Sequence, residues 1–160
     1  MKKLATGDLV AGVCSILLVL LAFTKMWANY KVEFFEESQS EGASILDGDA
    51  FNVLAKLAIL AALVAAIVFV MRAVGGNPSN AGMLYLVLGG ISFVLLAILV
   101  ATGPKDITGA LENQLGGISL DELGELAGFS VKAERGIMLF VGLFLAAGIA
   151  VGGYLTKGST

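Results

Sequence analysis

Hydrophobic residues gather into four long runs, at about 9–27, 50–71, 81–102 and 136–156, separated by polar segments. At about 1.5 Å per residue, each run is long enough to cross a hydrocarbon core roughly 30 Å thick. A helix satisfies its own backbone groups in lipid, so the pattern predicts an all-α membrane protein. The expected fold is a four-transmembrane-helix bundle occupying residues 1–160 as one domain. Its two longer connections, about 28–49 and 103–135, lie on one side, and both termini lie on the other.

The first run follows Lys2 and Lys3 and resembles a signal peptide at first sight. It is longer than a typical signal core, and Lys25, Met26 and Trp27 after it form no small-residue cleavage pattern. A retained first helix is therefore expected. Lys2, Lys3, Arg72 and Lys157 lie close to helix ends on the terminal side, opposed only by Asp8, whereas twelve of the acids fall in and beside the longer connections. Basic density beside the spans marks the cytoplasmic side, so a multi-pass protein of the cell membrane with both termini cytoplasmic is predicted.

In the first outer segment, Tyr30, Val32 and Phe34 alternate with Lys31 and Glu33, the period of a strand. No partner strand is evident, so the segment reads as a helix extension, an edge that pairs with another copy, or a loop. In the loop reading Trp27, Tyr30, Phe34 and Phe35 lie at headgroup level as outer-interface aromatics. The acids from Glu36 to Glu41 lack calcium-loop spacing and read as solvated, and Asp49 is placed to cap the second helix. In the second outer segment, Ile107, Leu111 and Leu115 share a face, and Ser119 with Glu122 forms a capping box ahead of Leu123 and Leu126. Two short amphipathic helices are expected there.

Within the spans Lys56 stands out. Its stem can carry the ammonium to the headgroups, or it can form an intramembrane ion pair with Glu134 or Asp49. No carboxylate lies mid-span, and Ser15, Thr24, Asn52 and Ser92 trace no polar pathway. Small residues recur at helical spacing instead: Ala58, Ala62 and Ala66 in the second run, Gly89 in the third, and Gly142, Ala146, Gly148 and Gly152 in the fourth. Such stripes let helix backbones meet, as helix-packing contacts within the bundle or as oligomer contacts between copies.

Composition narrows the chemistry. The 160 residues are 58% hydrophobic and 14% charged, with no histidine and Cys14 as the sole cysteine. Soluble domains carry about 25% charge. An imidazole base, an internal disulfide and a Cys/His metal centre are all excluded, and the few dispersed basic residues do not point to nucleic acid. No cofactor, metal or catalytic residue is expected, and the protein is read as no enzyme.

Four spans, inside termini and an aromatic-bearing first outer segment resemble the layout of claudin-type tetraspan proteins and of small four-span proteins of actinobacteria. The claudin first-loop tryptophan motif and cysteine pair are not matched: Trp27 adjoins the helix end, and the outer segments hold no cysteine. A paracellular barrier role is therefore not implied. The expected function is assembly, as a self-associating structural protein (a homo-oligomer) or an accessory subunit of a membrane complex. The partners are then the lipid bilayer and copies of itself or other membrane-protein subunits. The alternative is a small channel or transporter component with an acidic outer mouth, which favours cations.

Overall fold

The computed structural model describes residues 4–34, 37–47, 51–76, 78, 80–104, 116 and 129–158. The described elements run α1 (Thr6–Leu21), β1 (Ala28–Phe34), β2 (Glu37–Ala43), α2 (Val53–Ala73), α3 (Ala81–Thr102), β3 (Phe129–Arg135) and α4 (Ile137–Gly158). The structure is mostly helical, with a small antiparallel sheet at one end. α2, α3 and α4 are long and apolar enough to cross a membrane, and α1 is a shorter apolar helix. These helices point to a membrane location.

Their burial is inverted relative to a water-soluble bundle. On α2 six of the eight buried positions are alanines, Ala55, Ala58, Ala61, Ala62, Ala65 and Ala66, joined by Ile59 and Val68, whereas Leu57, Leu60, Leu63, Ile67 and Val70 face outward. Only 39%, 28% and 33% of the apolar windows of α2, α3 and α4 are buried, so most of their large aliphatic surface needs an apolar solvent.

The helices pack in a ring, with α1 and α3 each touching both α2 and α4. Close approach at small residues sets the spacing. A Cβ built on Gly152 lies 2.6 Å from the Ala11 nitrogen and 2.7 Å from the Gly7 oxygen, and one on Gly89 lies 2.4 Å from the Ala150 nitrogen. Between α2 and α3, the Ser92 hydroxyl donates to the Ala58 carbonyl at 2.9 Å.

Helix ends depart from the sequence reading in two places. The first run is helical only over Thr6–Leu21, 16 residues, because the chain turns after Ala22 and enters β1 at Ala28. Helix α2 is capped by Asn52, whose Oδ1 accepts from the Leu54 N–H at 3.1 Å, and not by Asp49, which lies outside the described residues. At the far end of α3, Gly103 adopts φ 77°, and its N–H reaches the Leu99 carbonyl at 2.8 Å. That left-handed turn ends the helix one residue before Pro104.

The first outer segment is neither a loop nor a helix extension. β1 is the central strand of a sheet ordered β2-β1-β3, antiparallel to both neighbours, with Lys31 opposite Ser40 on one side and Lys132 on the other. Both partners come from this chain, one from each longer connection. The two amphipathic helices expected within residues 103–135 fall mainly outside the described residues, and that segment's described end is β3.

Gly89 and Gly90 give a matched test of the packing. A Cβ on Gly89 meets the α4 backbone, whereas one on Gly90 meets nothing within 4 Å. Gly89→Leu is expected to destabilise the fold by about 1–3 kcal/mol, the usual cost of overpacking. Gly90→Leu is expected to leave stability unchanged. Thermal unfolding in one detergent, followed by the fluorescence of Trp27, the single tryptophan, measures both.

Candidate functional site

Two polar constructions stand at opposite ends of the bundle. The first is the sheet. Its root is Trp27, whose indole N–H donates to the Leu21 carbonyl at 2.6 Å, covering an open end of α1. The Thr24 hydroxyl donates to the same oxygen at 2.7 Å. The Trp27 backbone joins both sides of the sheet: its N–H donates to the Ala43 carbonyl at 3.1 Å, and its carbonyl accepts from Gly136 at 2.9 Å. The ring is fully buried, and a Cβ on Gly142 lies 2.7 Å from it, so that glycine makes room for the indole. Trp27 is thus a core residue at the sheet end of the helices. A buried aromatic with its polar edge satisfied stabilises more than one left at an interface.

Tyr30 is half-buried and packs against the core from β1. Phe34 ends β1, and Phe35 lies outside the described residues. On one face of the sheet Asn29, Lys31 and Glu33 align with Ser38, Ser40 and Gly42 of β2 and with Ser130, Lys132 and Glu134 of β3. Lys31 directly faces Lys132, a like-charge pairing. Lys31 also forms a salt bridge to Glu134 at 3.0 Å, with both side chains nearly half exposed. Such a pair contributes at most about 1 kcal/mol. It corrects the expected Lys56–Glu134 pair: Glu134 is held by Lys31 across the sheet, and Lys56 is exposed on α2.

β2 is an edge strand among the described residues, and its Glu37, Ser38, Gln39, Ser40 and Glu41 are all exposed. Glu37, Gln39 and Glu41 share one face. Beside β3, an open hollow of about 560 Å³ is lined by Thr102, Pro104, Glu134, Arg135 and Phe140. Arg135 Nη2 donates to the Ala101 carbonyl at 3.1 Å, a cation on the negative end of α3.

The second construction lies at the opposite end, where each helix contributes one polar side chain: Asp8 from α1, Arg72 from α2, Tyr85 from α3 and Thr156 from α4. Asp8 is fully buried. Its Oδ1 accepts from Arg72 Nη1, and the Thr156 hydroxyl lies 3.4 Å from the same oxygen while donating to the Gly152 carbonyl at 2.9 Å. Its Oδ2 accepts from the Ala5 N–H at 3.1 Å, which caps α1. The sequence reading counted Asp8 and Arg72 only as charges beside the membrane. The available signal was that Asp8 lies one residue after Gly7, inside the first turn, where a close helix neighbour removes it from water.

All eight predicted small-residue positions serve the interior of this chain. Ala58, Ala62, Ala66 and Ala146 are core residues, and Gly89, Gly142 and Gly152 are buried at helix crossings. A Cβ on Gly148 lies 2.6 Å from the Cys14 sulfur. Seven of the eight are buried within this chain, and Gly148 is half-buried. The Ser15 hydroxyl donates to the Gly12 carbonyl of its own helix at 2.8 Å. Among the described residues, no group of three His, Cys, Asp or Glu side chains is placed to hold a metal ion.

Compared with protein-family models, curated proteins and solved structures, the chain finds no match in any of the three.

The buried pair predicts an asymmetry. Arg72→Ala leaves the Asp8 carboxylate unpaired and fully buried, and is expected to cost about 3–5 kcal/mol. Asp8→Ala is expected to cost less, because Arg72 is 19% exposed and its guanidinium can turn toward water. The double variant is expected to recover part of the Arg72→Ala loss. Denaturation midpoints of the three variants in one detergent measure the cycle.

Proposed function

We propose that this chain is a four-span integral membrane protein of the cell membrane, with both termini cytoplasmic and the sheet outside. In this reading α1 completes the bundle as a short fourth span, with Trp27 and the turn after Ala22 seated beneath the sheet. The protein acts without catalysis, in assembly, as an accessory subunit of a membrane complex. The resemblance in layout to claudin-type tetraspans is part of the same proposal.

The observation that carries the reading is the division of surfaces. The small-residue stripes are consumed inside the bundle, so the outward faces of the spans are large aliphatic side chains suited to lipid. The surface left for specific contact is the sheet, held to the helix ends through Trp27 and Gly136. Its β2 edge offers a row of backbone groups, the geometry by which sheets accept another strand.

Charge supports a different partner over a second copy. Antiparallel pairing of two β2 strands about Ser40 brings Glu41 of each copy diagonal to Glu37 and Glu41 of the other, and that like-charge proximity is unfavourable. A basic extended segment is complementary to the same edge. The channel alternative gains no support from the interior, where Leu18, Leu96, Leu99 and Leu139 are fully or almost fully buried toward the sheet end.

The test is the mass of the particle extracted gently from its own membrane. A mass well above that of the 16.5 kDa chain with its bound detergent and lipid is expected. Glu37→Lys combined with Glu41→Lys is expected to release the chain as a monomer with an unchanged circular dichroism spectrum. A monomer from the native membrane overturns the assembly reading, and a large particle that survives both substitutions removes β2 as the contact.

A further inference from the structure

We propose that the four-helix polar cluster is a binding site for one neutral, water-sized hydrogen-bonding guest, held between the Tyr85 hydroxyl and the Asp8–Arg72 pair. Tyr85 is fully buried, and its hydroxyl is the one buried side-chain polar atom among the described residues without a hydrogen-bond partner. A buried hydroxyl left unpaired is costly, so an orphan of this kind marks an acceptor or donor still to be supplied.

Position identifies where the guest sits. Cβ atoms built on Gly7 and Gly153 contact Thr156 and the Tyr85 backbone respectively, so the last turns of α4 bring Asp8 and Tyr85 to one level of the bundle. Hydrogen-bond capacity is open at that level. Oδ1 of Asp8 accepts from Arg72, with the Thr156 hydroxyl 3.4 Å away and donating its proton to the Gly152 carbonyl at 2.9 Å, and Oδ2 accepts once, from Ala5, and has a lone pair left. Arg72 has five N–H donors, of which Nη1 serves Asp8. A water molecule accepting from Arg72 or Tyr85 and donating to Asp8 Oδ2 makes the number of bonds that interior waters make.

Charge selects the class of guest. Asp8 repels an anion, Arg72 repels a cation, and the pair together is neutral, which leaves a small uncharged donor and acceptor.

The experiment is a high-resolution structure of the full chain in lipid or detergent, paired with the isosteric variant Tyr85→Phe. A density peak is expected at about 2.7–3.0 Å from the Tyr85 oxygen and from Asp8 Oδ2 or Arg72, and lost in the variant. The thermal midpoint of Tyr85→Phe is expected to fall by about 2–4 °C. The proposal is overturned if the tyrosine oxygen bonds directly to Asp8, if no peak lies beside it, or if the variant melts at or above the parent temperature. The wild-type density decides the matter even if Tyr85→Phe does not fold.

Discussion

The structure depends on how closely α4 approaches its two neighbours. Helices with outward leucine and isoleucine gain nothing from water exclusion in an apolar solvent, so contact has to come from van der Waals packing at short range. α4 supplies this on two faces. Gly152 meets Ala11 and Gly7 of α1, while Gly153 meets Gly82 and Leu86 of α3. Any side chain at those glycines collides with backbone, which cannot move aside as a flexible side chain can.

That spacing decides what can be built at the two ends. At the sheet end, Trp27 and Gly136 come within backbone hydrogen-bonding distance, so the strand following α1 and the strand preceding α4 are already side by side. The hairpin strand β2 then pairs on the other flank of β1. At the opposite end the same proximity puts Asp8 out of reach of water, and Arg72 and the Ala5 N–H donate to the carboxylate.

Legibility in the sequence followed the strength of each local signal. α3 is foreseen at both boundaries because its run is uncharged and Gly103 and Pro104 terminate it. β1 carries an alternation, and so does β3, where Phe129, Val131 and Ala133 alternate with Ser130, Lys132 and Glu134. β2 carries none: its residues are small or polar on both faces, and from Glu37 to Glu41 the strand is exposed on both, so periodicity has nothing to report. Lacking β2, the reading left β1 without a partner. Asn52 and Asp49 are equally good caps by residue type, and only the path of the backbone separates them.

The sequence alone determined the solvent of this protein. The lengths and apolar character of the later runs require helices with lipid-compatible faces, since backbone groups must be satisfied locally whatever the tertiary arrangement. It also determined that small residues hold helices together, because no other residues on those faces allow close approach. Tertiary structure decided which helices they join within the chain. It also buried Trp27, gave Glu134 to Lys31, and made a buried ion pair of two charges 64 positions apart. These outcomes depend on distances across the bundle, which periodicity along a single helix does not encode.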